Sequence, residues 1–218
     1  MRRFRCPAPI PSGRTCWSQP GARRDCLHGR AFRVHGGGLN LRARGHGAEG
    51  VGLYRSEFAF LLRQEAPDEE TQYGIYRELL KAFSPQSVTV RTLDAGSDKP
   101  LPYLQATVEN PALGQRGMRL SLAHPELFLT QLRALLSANA GIGNLRLLLP
   151  MVTGVMEVRQ ARTLIEQAHR EVEARVGRCP LPSLGIMVEV PATMLRISDF
   201  APLVDRALSD SATRFPIR

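Results

Sequence analysis

Residues 87–103, SVTVRTLDAGSDKPLPY, decide how the rest of the chain is read. Val88 and Val90 alternate with Thr89 and Arg91, the period of two expected of a strand built from strong β-formers. The chain then turns through Asp94, Ala95, Gly96 and Ser97, and Pro100 and Pro102 forbid a regular element from continuing. A strand that ends in arginine and runs into such a turn delivers cationic side chains to the carboxyl edge of a sheet, where barrel and doubly wound α/β enzymes keep their ligands. Arg91 and Asp94 alone would equally make an ion pair at a sheet edge. The functional reading therefore needs the same geometry repeated along the chain.

It recurs. Gly50 to Tyr54 reads as a short buried strand, with Arg55 and Glu57 at its exit. Pro67 with Asp68, Glu69 and Glu70 forms a first helical turn, the acids lying at the positive end of the helix dipole, and Tyr73, Tyr76, Leu80 and Phe83 follow as an amphipathic stripe. Ser84 and Pro85 end that helix, so strand, helix and strand make one parallel crossover unit. Asn110, Pro111 and Gly114 mark a further turn, and residues 115–122 are expected to form another short strand, carrying Arg116 and Arg119. Pro125 starts a helix with Phe128, Leu132 and Leu135 on one stripe, and residues 144–150, NLRLLLP, read as a strand covered on both faces.

Residues 156–176 are the clearest helix: Val158, Ala161, Ile165, Ala168 and Val172 share one face, Glu166 and Arg170 are spaced to pair, and Gly177 ends it. Residues 185–188 form a strand ending in Glu189, a carboxylate that must be paired or bound to a cation where it is buried. Pro191 opens a last helix through Leu195 and Ile197. This alternation gives an α/β fold with a parallel sheet, and about five strand–helix repeats are too few to close an eight-stranded barrel.

The 218 residues suffice for one core but fall short of the ~250 typical of a complete barrel of this kind. No run of about 18 apolar residues occurs, which excludes a membrane span. The net charge of +9 sits entirely in residues 1–48, which hold ten Arg against Asp25, whereas the remainder carries 19 basic and 19 acidic side chains. The globular part is neutral, so its charge is no argument for a nucleic-acid partner. Cys6, Cys16, Cys26 and Cys179 show no metal-ligand spacing, and a reducing compartment is the default.

Residues 1–48, rich in Pro, Gly and Arg, are expected to pack no core. They read as a basic arm for nucleic acid or anionic lipid, as a targeting segment without an apolar centre, or as a stretch that is not native at all. The last is preferred, because arginine without lysine is the bias that out-of-frame translation of G/C-rich coding sequence produces, and functional basic arms mix the two.

Five motifs now fall into one order: GVGLYRSEF (50–58), VTVRTLDAGSDKPLPY (88–103), ENPALGQRGMR (109–119), NLRLLLPMV (144–152) and GIMVEVPA (185–192). Together they resemble the phosphoenolpyruvate-binding barrel of enzyme I of the bacterial phosphotransferase system, from about Ala48 to Asp205, with GLYRSEF and NLRLLLPMVT leaning toward the nitrogen-related form. Pyruvate phosphate dikinase and phosphoenolpyruvate synthase have related barrels and are the alternatives. The resemblance implies a partial (β/α)8 barrel over residues 49–205, preceded by a disordered Arg-rich segment (1–48) and followed by an unrelated tail (206–218).

The activity it implies is phosphoryl transfer from phosphoenolpyruvate to a protein histidine and on to a histidine-containing phosphocarrier protein, in the cytoplasm, by an enzyme that dimerises through this barrel. A substrate with a phosphate and a carboxylate calls for several guanidinium groups and a hard cation held by carboxylates. By resemblance, Arg55 and Arg91 hold the substrate, Arg116 and Lys99 are further substrate ligands, and Glu189 ligates Mg2+. The family's Asn-Asp pair, its Cys-Gly-Glu motif and its phosphorylated histidine have no counterpart in this sequence, and Cys179 does not correspond to the family's cysteine. The chain is therefore expected to be a catalytically incomplete fragment. The competing reading from another class is a non-catalytic scaffold whose basic arm binds nucleic acid.

Overall fold

Each strand lies beside the strand that precedes it in sequence, as short right-handed crossovers dictate. The computed structural model describes residues 31–34, 50–61, 63–96, 101, 103, 115–209 and 214–215. Within them run β1 (Ala31–Val34), β2 (Gly50–Arg55), α1 (Phe58–Leu61), α2 (Glu69–Phe83), β3 (Val88–Arg91), α3 (Gly117–Ala123) and α4 (Pro125–Asn139). Then come β4 (Leu145–Leu149), α5 (Val155–Val176), β5 (Ser183–Val188), α6 (Pro191–Leu195), α7 (Ile197–Phe200), β6 (Arg206–Ser209) and β7 (Arg214–Phe215). The sheet order is β1-β2-β3-β4-β5-β6-β7, parallel through β6 and antiparallel at β7. This is an α/β fold, a partial (β/α)8 barrel.

Because side chains alternate across a strand, the sheet has a helix-covered face and an inner face. Val88, Val90, Leu145, Leu147, Leu149, Leu184, Ile186 and Val188 join Tyr76, Leu80, Leu132 and Ile165 in the main core. Leu53, Leu148 and Met187 form a separate inner cluster, with Leu208 packed against it. Burial on both faces is why NLRLLLP is nearly continuous in leucine. Between Val51 and Tyr54, β2 carries three residue steps where β3 carries two from Val88 to Val90, a β-bulge.

The helices start and stop where their chemistry says. Asp68 caps α2, its Oδ1 accepting from the Thr71 amide at 2.8 Å, with Glu69 and Glu70 in the first turn. Glu157 caps α5 by accepting from the Thr153 and Gly154 amides at 2.7 and 3.2 Å, and Gly177, at φ 81°, ends that helix. On its wet face the i,i+4 pair is Arg162 with Glu166 at 3.9 Å, rather than Glu166 with Arg170.

The strand expected over residues 115–122 is instead a helix, α3. Met118, Leu120 and Leu122 do alternate, but the segment is two turns wedged between clusters. Leu120 packs among Phe60, Leu93, Ala95 and Leu101, while Met118 enters the main core, so apolar residues are buried on more than one side and the helical period is obscured. Pro125 then separates α3 from α4. The last expected helix divides at Arg196 into α6 and α7.

Of residues 1–48, Ala31–Val34 are described, and they pair with β2; the rest lie outside the described residues. Within 206–218, β6 continues the sheet in register with β5, Gly185 facing Arg206. A Cβ on Gly185 would come within 2.6 Å of the Arg206 Cγ, so the glycine makes room for that side chain.

Two amides hold the amino edge. Asn144 Nδ2 donates to the carbonyls of Leu80 and Gln86 at 3.0 and 2.8 Å, and Asn139 Oδ1 accepts from the Leu145 amide at 3.0 Å. Asn144→Ala should lower stability by about 1–2 kcal/mol, because two carbonyls in a buried setting lose their donor. Equilibrium urea unfolding reads this directly, and an unshifted midpoint would refute the accounting.

Candidate functional site at the carboxyl edge

β2 and β3 end side by side, with Arg55 opposite Arg91 in the parallel register. Both guanidinium groups meet one carboxylate oxygen: Glu57 Oε1 accepts from Arg55 Nε at 2.7 Å and from Arg91 Nη2 at 2.5 Å. Arg91 Nη1 lies 3.0 Å from Asp94 Oδ2 and 3.8 Å from the Met187 sulfur. The side chains of Glu57, Asp94 and Arg91 are 0, 4 and 5% exposed, whereas that of Arg55 is 28% exposed. The Arg91–Asp94 pair is therefore a desolvated contact and not a surface one, and its charges depend on each other far more strongly. The Arg55 guanidinium carbon also stands 5.6 Å from the centre of the Phe58 ring, a cation–π distance.

Met187 belongs to β5, two strands from β3, so Arg91 reaches across the inner face of the sheet. Alternation carries Gly185, Met187 and then Glu189 to that same side. Glu189 is half-buried just past the end of β5, and its Oε1 accepts from the Met151 amide at 3.2 Å. Arg116 immediately precedes α3, whose first amide, that of Gly117, donates to the Ala95 carbonyl at 3.0 Å and so ties Arg116 to the loop after β3. Lys99 lies outside the described residues. Cys179 is at the opposite, amino edge, before β5, with its Sγ 3.2 Å from the Leu136 carbonyl.

A buried polar network fixes the loops that carry these groups. Gln131, from α4, donates to Ser56 Oγ and to the Tyr76 hydroxyl, both at 3.1 Å, and accepts from the Leu93 amide at 2.9 Å. The Tyr76 hydroxyl in turn donates to Gln72 at 3.3 Å. One side chain thus links the exits of β2 and β3. Burial, with the charge of Glu57 adding to it, pushes the Tyr54 phenol up to about 12, and burial pushes the Tyr76 phenol up as well.

The sequence profile of the family described as PEP-utilising enzyme, PEP-binding domain, matches residues 40–207. The chain belongs to this family. A protein of Escherichia coli K12 named phosphoenolpyruvate-dependent phosphotransferase system is 51% identical over 158 residues, which are 72% of this chain and 21% of that protein. A phosphoenolpyruvate-protein phosphotransferase of Haloferax volcanii is 48% identical over 163 residues, 73% of this chain and 29% of the relative. One of Bacillus subtilis is 44% identical over 162 residues, 73% and 28%. The chain therefore spans about a fifth to under a third of the length of these relatives.

The match to the PEP-binding domain takes in residues 40–48, ahead of Gly50, and the first two residues of β6. All four strand exits that carry Arg55, Arg91, Met151 and Glu189 fall inside it. Reading by motif singles out the arginines at these strand ends but neither the bridging role of Glu57 nor Gln131. A signal for Gln131 is present in the sequence: it lies three residues after Phe128 and four before Leu135, a polar residue on a buried stripe. No helix among the described residues is long and apolar enough to cross a membrane.

Burial raises the Glu57 carboxyl, but the Arg91 charge, its own backbone amide and Arg55 together outweigh this and hold it below the usual carboxylate range. A depressed acid contributes stability above its unfolded-state pKa and loses it as pH falls through the folded value. Urea midpoints should therefore begin to drop below about pH 4.3 and keep falling as Glu57 titrates. A midpoint that stays flat between about pH 6 and pH 3 would contradict the bridge.

Proposed function

We propose that this chain is the substrate-holding part of a phosphoenolpyruvate–protein phosphotransferase of the cytoplasm, self-associating through the barrel. The observation that carries the reading is the convergence of Arg55 and Arg91 on one buried carboxylate at the carboxyl ends of adjacent parallel strands. Planar guanidinium groups suit the phosphate and carboxylate of phosphoenolpyruvate, and barrels of this kind bind ligands at that edge. Arg55 and Arg91 receive the substrate's anionic groups, with Arg116 and Lys99 completing the ring. Acceptors of the phosphoryl group are a protein histidine and then a histidine-containing phosphocarrier.

Two arginines against Glu57 and Asp94 leave the buried cluster neutral, so net attraction for a trivalent anion has to come from Arg116, Lys99 and a bound cation. Glu189 fits that need. It offers hard oxygen to the same face as Arg91, and Mg2+ is commonly held by one or two carboxylates plus substrate phosphate and water. Among the described residues there is no group of three or more His, Cys, Asp or Glu that could make a dedicated cage, which suits such a shared site. When bound, Mg2+ supplies charge neutralisation at the phosphoryl oxygens.

Calorimetric titration with phosphoenolpyruvate tests this. Binding is expected in the presence of Mg2+ and should weaken roughly tenfold or more without it, as it should in Arg55→Ala and Glu189→Ala. Heats that are absent in the wild type, or indifferent to Mg2+ and to both substitutions, would overturn the assignment.

A further inference from the structure

The proposed function names two arginines, and among the described residues Glu57 is the side chain hydrogen-bonded to both. It is wholly buried, so it offers no surface to a substrate itself. Its position is fixed by the backbone: the amides of Phe60 and Leu61 both donate to its carbonyl, at 3.0 and 2.9 Å, closing the first turn of α1 directly after β2. Its Oε1 engages different edges of the two guanidinium planes, the Nε of Arg55 and the Nη2 of Arg91.

Engagement through Nε leaves the terminal fork of Arg55 pointing away from the anchor. Among the described residues neither Nη of Arg55 makes a hydrogen bond, and the side chain is the most exposed of the four. Arg91, by contrast, has one Nη on Glu57 and the other on Asp94. A guanidinium is rigid, so fixing one edge fixes the plane, and an anion receptor gains affinity when its donors need no ordering on binding.

We infer that Glu57 is a positioning residue for the anion site, one carboxylate oxygen that sets the spacing of Arg55 and Arg91 and turns the Arg55 fork toward the open edge. This rests on the assignment of Arg55 and Arg91 to substrate. Glu57 acts through them and touches no ligand.

The test uses 15N NMR of the arginine side chains in the full chain, with signals assigned through Arg55→Lys and Arg91→Lys, together with phosphoenolpyruvate titration in Mg2+. In the wild type, guanidinium rotation should be slow for Arg91, whose two Nη are both held, giving resolved Nη signals, and the Nε proton of Arg55 should be shifted and protected from exchange. Free rotation of Arg91, or an Arg55 Nε proton that exchanges as fast as an exposed one, overturns the anchor without any variant being needed. In Glu57→Gln, which keeps the shape and removes the charge, the Arg55 Nε and Arg91 Nη signals should shift and broaden while backbone amide dispersion persists. Affinity for phosphoenolpyruvate should fall roughly tenfold or more.

Glu57→Asp, a methylene shorter, should disturb Arg55 and Arg91 unequally and is the second variant should the amide not fold. Arginine signals unchanged in both variants refute the positioning role. Signals that respond in a chain that binds no phosphoenolpyruvate uphold the anchor and refute the substrate assignment instead. A merely structural role for Glu57 would lower the unfolding midpoint without altering affinity in the folded variant, and that result also overturns the inference.

Discussion

Arg91→Met should cost the fold about 3–5 kcal/mol, the range seen when one partner of a buried ion pair is removed. Methionine nearly matches the arginine stem in length and sits comfortably beside the Met187 sulfur, so little of the loss is packing. The loss comes from Glu57 and Asp94, 0 and 4% exposed, two buried acids that lose the guanidinium lying between them. Arg55→Met, at a site 28% exposed, should cost under about 1 kcal/mol. Both variants should lose phosphoenolpyruvate affinity, but only the first should unfold early. Urea curves separate them: with a slope of about 1–3 kcal/mol/M, the Arg91 midpoint should fall by a molar unit or more. Equal stability losses for the two would mean that the cluster is not desolvated as described.

The second large effect is expected at Gly117→Ala. Gly117 sits at φ 52°, in the left-handed region, and a Cβ there would lie 2.6 Å from the Met151 Cβ and 3.0 Å from its Cγ. The Cβ of Met151 cannot swing aside, because it is anchored to a backbone that itself has φ 50°. Backbone strain of about 1–2 kcal/mol and overpacking of about 1–3 kcal/mol together give about 2–5 kcal/mol. The damage should also reach the site, since Arg116 precedes this glycine and its amide holds the Ala95 carbonyl. Gly117→Ala with Met151→Gly should recover the overpacking part of the loss by removing the obstructing atoms, and leave the backbone strain at residue 117. Gly74→Ala makes the control. Gly74 lies in α2 with nothing within 4 Å of the place a methyl would take, so alanine there should raise stability by roughly 0.5–1 kcal/mol. A thermal melt in which Gly117→Ala behaves like Gly74→Ala would refute the steric argument.

Much of this architecture is legible in the residues because period and burial agree. In α5 one stripe faces the core and the rest is wet, so Val158 to Val172 announce the helix. Val88 to Arg91 announce the strand and its cationic exit in four residues. Where a segment is buried on several sides the period loses meaning, and for that reason α3 reads as a strand in the sequence. The site divides the same way. Arginines at strand ends show themselves by position, but an acid two residues past a strand looks alike whether it is solvated or, as with Glu57, sealed beneath the loops. What distinguishes the two cases is the three-dimensional company of Arg91, 34 residues away in sequence.

The bulge in β2 reaches further than its one residue. Val51 and Arg55 are four positions apart, and in an unbroken strand an even separation would put them on the same side. Val51 lies under the helices, so Arg55 would have been driven there too, away from Arg91. The extra step opposite β3 inverts the parity: Tyr54, at an odd separation, shares the helical face with Val51, and Arg55 is released to the interior of the barrel. A single residue deleted between Val51 and Tyr54 would erase the bulge and still leave Arg55 facing inward, three steps from Val51, whereas the same residues drawn into an unbulged strand would turn that guanidinium under the helices.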